Sequence, residues 1–361
     1  MTASSQQQVG RTSSPVGVAP GAEDFAAADQ DWLAGTAVPR SQGSAKMPVR
    51  TIVAIPVAAT IAFIIHRFVA KNQPVPETNL YSYFLGAAVV ASLLATALQL
   101  FWPFPRRWLT HISPIFAAAI LVLGLWELIT TGFRWLPLPY FPAPPAVLQS
   151  LISDRLELYK STRSSLALLL QGYAIGVIVA VISGVTIGWF AKARYWGMPI
   201  LKIIGPIPAT AWVPLAMVLA PAGKTEYSAV GLIAFAVWFP VTMLTASGIS
   251  NTRASYLDVA RTLGASRSYL IFRVAIPAAM PSIFIGLFMG LGTSFLTLIV
   301  AETVGVKSGL GYYVSWAQGW AEYAKVFAAL VIMAAFFSTI MTILFKLRDR
   351  VLVWQKGVIK W

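Results

Sequence analysis

The sequence predicts an all-α integral membrane protein, on three observations. Of the 361 residues, 57% are hydrophobic and only 11% charged, a balance that no soluble domain of this size needs. The apolar residues gather into runs close to the roughly 20 residues that cross a bilayer. The basic residues fall in the short segments between those runs, as they do where positive charge kept on the cytoplasmic side sets the topology.

Taken in order, residues 1–46 are rich in Ser, Gln, Gly, Ala and Pro without apolar periodicity and read as a disordered cytoplasmic tail. No signal peptide is expected, since the first apolar run starts near Thr51 and has no small-residue cleavage site beside it. Eight spans follow, at 51–70, 81–103, 112–132, 164–190, 196–220, 227–250, 279–302 and 324–346. His66 and Arg67 make the first the weakest; without it the tail would move outside while the other seven kept their orientation. With the tail inside, eight crossings return residues 351–361 to the cytoplasm as a basic C-terminus. Lys and Arg then number 17 on the inside and nine on the outside. Between the third and fourth spans, on the outside, prolines and aromatics suit an interfacial turn, and PAVLQSLISDRLELY at 145–159 reads as a short amphipathic helix.

Several function classes fall away. The net charge of +14 is scattered between apolar runs, so it marks topology and not nucleic-acid binding. There is no cysteine, and His66 and His111 are the only histidines, which leaves neither thiolate chemistry nor a zinc or iron site. Pro221–Ala222–Gly223–Lys224–Thr225 ends like a phosphate-binding loop, but Val218 stands where the first glycine is required and no strand precedes it. Glu127 and Glu302 lie near outer span ends, where an acid can be solvated; a structural role is expected for each rather than proton relay, since two isolated acids make no relay chain.

The segment between the sixth and seventh spans is the most informative. It carries Arg253, Arg261, Arg267 and Arg273 and reads as a short helix, a break at Gly264, a second short helix and a stop at Pro277, where the next span starts. Tyr256, Val259 and Leu263 fall at helical spacing, and Leu270 comes next beyond the break. Gly264 stands where a helix end needs a left-handed residue, and Ser266 can cap the next helix. The stripe suits a helix lying on anionic lipid as well as a helix gripped by another protein.

This segment resembles the EAA loop of bacterial ABC importer permeases, EAA-x3-G-x9-I-x-LP, in Asp258, Val259, Ala260, Gly264, Val274, Ile276 and Pro277. Asp stands for Glu, Val for the first Ala, Val for Ile and Ile for Leu. GPIPATAWVPLAM (205–217) and AETVGVKSGLGYYVSWAQ (301–318) look like segments of the nitrate/sulfonate/taurine/bicarbonate branch, and the run Leu125–Trp126–Glu127–Leu128 fits as well. The resemblance covers about 105–350. It implies a six-span type I importer permease core with its coupling loop at 251–277, preceded over 47–104 by two extra transmembrane helices of unassigned role.

The resemblance also implies the partners: ABC ATPase subunits, a second permease copy, an extracytoplasmic solute-binding protein and the lipids of a bacterial inner membrane. The permease performs no chemistry and binds no cofactor directly, while ATP and Mg are used by the ATPase. The coupling residues it marks are Tyr256, Asp258, Val259, Ala260, Arg261, Leu263, Gly264, Ala265 and Pro277. The solute it points to is a small organic or inorganic anion. The alternative is a secondary transporter whose helical loop lies on lipid.

Pathway candidates come from the fifth span, where Pro206, Pro208 and Pro214 free backbone carbonyls near Thr210 and Trp212. Lys202 can snorkel to the interface or attract an anion. Trp238, Thr242 and Glu302 complete the set, with Trp238 and Thr242 also fitting plain packing. The GxxxG pairs Gly172/Gly176, Gly184/Gly188 and Gly286/Gly290 permit close helix approach, within one subunit or across a dimer. Tyr312, Tyr313, Trp316 and Trp320 suit an interfacial aromatic belt or a docking surface.

Overall fold

In hydrocarbon each backbone N–H and C=O must be satisfied within its own segment, so long apolar runs fold as helices. The computed structural model describes residues 49–69, 79–101, 103–133, 135–136, 138–220 and 224–355, with no strand among them. The expected tail over 1–46, residues 356–361 and Pro221, Ala222 and Gly223 of the phosphate-loop decoy lie outside the described residues. Residues 50–361 form one unit of the chain, and every described helix long and apolar enough to cross a membrane lies in it.

Helices α1 (Val49–Phe68) and α2 (Leu80–Phe101) form a hairpin ahead of α3 (Pro103–Glu127), which ends in a π turn, Leu128–Gly132. The short α4 (Pro144–Ser153) leads into α5 (Arg155–Trp189), α6 (Ala191–Ile204) and α7 (Val213–Val218). Helix α8 (Thr225–Ser250) is followed by the loop helices α9 (Ala254–Thr262) and α10 (Arg267–Tyr269). Then come α11 (Ile276–Val304), α12 (Leu310–Gly319) and α13 (Tyr323–Val351). Among the described residues six helices are long and apolar enough to cross a membrane, the bent pair Ala191–Ile204 and Ala209–Val218 counts as a seventh if it is one span, and Val53–Phe68 is a shorter apolar helix. The eight expected spans therefore all appear as helices, the fifth in two pieces and the first short.

Glycine decides how the central spans meet. Gly172, Gly176, Gly184 and Gly188 recur along one face of α5 with the buried Ala180 between them. A Cβ at Gly176 would stand 2.6 Å from the Ala234 carbonyl of α8, and one at Gly184 would stand 2.6 Å from Thr245 Cβ. Gly172 faces Ile233 and Gly188 faces Ile249, so the offset along the two chains is constant and the helices run parallel. On its other side α8 meets α11, where a Cβ at Gly286 would lie 3.1 Å from Val241 Cα and one at Gly290 would lie 3.0 Å from Val241 Cγ2. The three GxxxG pairs thus work inside one chain. Lipid tails are as apolar as Leu, so association rests on the contact that small residues permit and not on hydrophobic transfer.

Five expectations are corrected. Glu127 is not solvated but buried, with His66 Nδ1 2.6 Å from its Oε1. His66 Nε2 lies 2.8 Å from Ser82 Oγ, so the residue that weakened the first span ties α1 to both α2 and α3. The surface helix over 145–159 does not exist as one piece: Asp154 breaks it, and α4 buries Pro144, Pro145, Val147 and Ser150. Residues 155–163 instead begin α5, whose 35 residues extend about 52 Å, well beyond a hydrocarbon core of about 30 Å. The stop at Pro277 is replaced by continuity, because a π turn over Leu270–Ala275 moves the hydrogen-bond register before the proline, which then sits in the first turn of α11. Of the four aromatics assigned to an interfacial belt, Tyr313 is buried within the packing of α12.

Gly176→Leu should prevent α5 from seating on α8, since overpacking typically costs about 1–3 kcal/mol or more. The expected outcome is a large fall in monodisperse yield on gel filtration in mild detergent. Gly231→Ala, whose added Cβ meets nothing within 4 Å, should leave the yield unchanged.

Candidate functional site

The loop between α8 and α11 is built to stay exposed. No residue of α9 is buried; Tyr256 is 52% exposed, Val259 60% and Leu263 82%. The helix ends in a complete Schellman closure: Ala265 N–H donates to the Ala260 carbonyl at 3.0 Å and Gly264 N–H to the Arg261 carbonyl at 2.9 Å. Gly264 adopts φ +80°, the left-handed conformation its position predicts. Ser266 Oγ then accepts from Tyr269 N–H at 3.3 Å and caps the next helix. Asp258 pairs with Arg261 at 3.0 Å on the exposed surface. Leu270, expected in the apolar stripe, is buried instead, because the Gly264 bend turns it inward, and Tyr269 joins the exposed face in its place. Together Tyr256, Val259, Leu263, Tyr269 and Arg273 border a concave surface of about 710 Å³.

The fifth span breaks where the prolines predict. Pro206 and Pro208 supply no N–H, Pro208 is extended at ψ 136°, and the axis turns by 77° between α6 and the segment Ala209–Val218. Pro214 causes no break, since it falls in the first turn of α7. A cavity of about 280 Å³ opens beside the bend, lined by Pro208 and Thr210, by Phe239 of α8, and by Met289, Thr293 and Thr297 of α11. Lys202, Pro206 and Trp212 are exposed and do not line it. Trp238 is half-buried and donates its indole N–H to Ser183 Oγ at 3.0 Å. Thr242 is wholly buried between α5 and α8, 3.0 Å from Ser183 Oγ and 3.3 Å from the Ala180 carbonyl, so it belongs to the helix seam and not to a pathway.

Glu302 is likewise no lining residue. It is fully buried at the end of α11, where Oε1 accepts from Ser165 Oγ at 2.7 Å and Oε2 from Gly311 N–H at 2.8 Å. Ser165 Oγ in turn accepts from Leu310 N–H at 2.9 Å. The carboxylate holds the chain's return from α11 into α12, and side-chain atoms at Gly309 (φ +102°) or Gly311 would strike it.

Beside this return, Asp154 accepts from Tyr313 Oη at 2.8 Å and lies 3.4 Å from Lys325 Nζ. Burial opposes its charge, but the hydrogen bonds from Tyr313 and Ser153 and the Lys325 ammonium hold the Asp154 carboxyl below the usual carboxylate range. Burial first, then the bond to Asp154, pushes the Tyr313 hydroxyl up. Asp154, Ser165 and Lys325 were not legible as site residues: each is one polar side chain near a span end, and its partner lies more than a hundred residues away. The signal that could have marked the region is an acid followed by two closely spaced glycines, Glu302 with Gly309 and Gly311. Among the described residues no group of three His, Asp or Glu side chains could hold a metal ion.

Residues 172–353 match the family described as binding-protein-dependent transport system inner membrane component. The chain belongs to that family. It is 32% identical over 212 residues to a probable ABC transporter permease protein of Brucella melitensis, covering 58% of this chain and 83% of the relative. It is 28% identical over 240 residues to the taurine transport system permease protein of Escherichia coli, covering 64% and 85% respectively. A Bacillus subtilis relative, provisionally assigned as an aliphatic sulfonates transport permease protein, is 30% identical over 217 residues, covering 59% and 77%. The chain is an ABC transporter permease subunit whose relatives include the sulfonate and taurine branch. The family match contains the exposed loop, the broken span and the glycine seams; α1 and α2 lie outside it.

Glu302→Ala would leave Ser165 Oγ and the Gly311 N–H without their acceptor, at about 2–3 kcal/mol. A lowered melting temperature in detergent is expected, with a smaller loss for Glu302→Gln. The depressed Asp154 carboxyl stabilises the fold at pH values above the unfolded carboxylate value of about 3.9, and this contribution disappears as pH falls through its lower folded value. Asp154→Asn should therefore lower the melting temperature at pH 7, and the gap to wild type should close on acidification below pH about 4.

Proposed function

We propose that this chain is the membrane-spanning subunit of an ATP-driven, binding-protein-dependent importer, working by alternating access as one of a pair of copies. The observation that carries the reading is continuity. The exposed stripe of Tyr256, Val259 and Leu263 leads through the Gly264 closure and the π turn into α11 without a stop. A protein gripping that stripe would move α11, and α11 contributes Met289, Thr293 and Thr297 to the cavity beside the broken span. The partner is an ABC ATPase, which uses ATP and Mg; the permease itself catalyses nothing. On this reading the loop and both termini face the cytoplasm across a bacterial inner membrane, and an extracytoplasmic binding protein delivers the solute to the opposite end.

The solute is a small anion of the sulfonate or taurine type, a reading supported by the taurine and sulfonate relatives. The cavity offers threonine hydroxyls and no charged side chain, which suits release of a solute whose selection occurs on the binding protein. The test is taurine uptake by proteoliposomes holding the chain with its co-purified ATPase and binding protein. Leu263→Asp and Gly264→Pro should each cut ATP-dependent uptake more than tenfold while the chain still inserts and elutes normally; charge in the groove and a rebuilt helix break are the respective causes. Undiminished uptake in both variants would remove the coupling role of the loop. Uptake that runs without ATP would put a secondary transporter in its place, and failure of taurine and alkanesulfonates to be carried would remove the solute class alone.

A further inference from the structure

The inner side of the same loop encloses a second cavity of about 530 Å³. Trp189, Phe190 and Arg194 reach it from the corner between α5 and α6, Thr252 from the end of α8, and Arg261 and Arg267 from the loop helices. Three guanidinium groups line it and no carboxylate does. Arg261 is balanced by Asp258 at 3.0 Å. Arg194 gives Nε to the Ile187 carbonyl at 3.3 Å and Nη2 to the Gly188 carbonyl, both neutral partners. Arg267 has no carboxylate partner among the described residues. Two positive charges therefore stand in the cavity without a counter-charge.

The surroundings point the same way. Helix α6, 14 residues long, begins at the cavity wall with no side-chain cap on its first N–H groups, and uncapped N–H groups at a helix start add to the positive field. One turn further, Tyr195 and Trp196 are each 72% exposed, and aromatic rings of that kind settle at the headgroup level of a bilayer. Guanidinium forks match tetrahedral oxyanions, and basic pockets between spans on the cytoplasmic side suit anionic lipid headgroups.

We propose that this three-arginine cavity binds a phosphate group, which joins the loop to the α5–α6 corner through Arg267 and Arg194. The group is the phosphate of an inner-leaflet lipid or a soluble phosphate. The lipid source rests on the cytoplasmic orientation of the loop under the importer reading; the cavity and its charge do not.

The experiment uses the full chain in mild detergent. Native mass spectrometry follows retention of phosphatidylglycerol against phosphatidylcholine, and a parallel thermal scan compares sodium phosphate with chloride at matched ionic strength. Preferential retention of phosphatidylglycerol by the wild type, weakened about fivefold in Arg267→Gln, assigns the lipid source, since a surface arginine is worth about 1 kcal/mol toward an anionic headgroup. Stabilisation by phosphate, lost in that variant without any lipid preference, assigns the soluble source. If Arg267→Gln does not fold, Arg194→Gln takes its place. Retention and stabilisation that do not differ between wild type and variant overturn the proposal. Neither readout involves ATP or transport, so failure here leaves the coupling reading standing, and failure of coupling leaves this site standing.

Discussion

The structure depends on the close seating of α8 between two glycine-bearing helices. In lipid, burying a leucine against another helix gains little over burying it against an acyl chain, so the helices are held by contact itself. Glycines every four residues on α5 let the carbonyls and β-branched side chains of α8 fill the space a Cβ would take. Gly286 and Gly290 do the same from α11. The two seams fix α5, α8 and α11 as a unit, and Thr242 with Ser183 adds a hydrogen bond inside the first seam. The broken fifth span packs beside this unit, and its bend leaves the cavity between Pro208, α8 and α11.

Buried polar groups then set the arrangement of the span ends. An acid without a partner at this depth would be costly, and both deeply buried glutamates have partners brought from distant segments. Glu302 gathers Ser165 and the α12 backbone; Glu127 meets His66, and through it Ser82. The first junction closes the core, joining Ser165, which precedes the family match, to Glu302 and α12 within it. The second lies between α3 and the additional hairpin, so the hairpin is held by specific polar contacts as well as by apolar packing of Ala62, Tyr81 and Leu85.

At the opposite end the loop has the reverse character. Its backbone is rigidly closed at Gly264, yet its side chains are left uncovered. A well-defined shape with exposed apolar residues is what a partner surface can hold. The π turn makes that shape continuous with α11, so the loop and the central seam are one mechanical element.

What the sequence determined by itself comes from local physics. Apolar run length placed the long helices, Pro206 and Pro208 fixed the break in the fifth expected span, and Gly264 with Ser266 fixed the loop's closure, because each acts within a few residues of itself. The spacing of Asp258, Ala260, Gly264 and Pro277 was enough to reveal the family. What only the tertiary structure decided involves partners far apart in the chain. Whether Glu302 and Glu127 would be solvated or paired depended on Ser165 and His66; whether Thr242 would face a pathway or a seam depended on Ser183; whether Asp154 would lie in a surface helix or end one depended on Tyr313 and Lys325. A polar residue near a span end reads the same in sequence whether it meets water or a buried partner, and only the packing of one helix on another distinguishes the two.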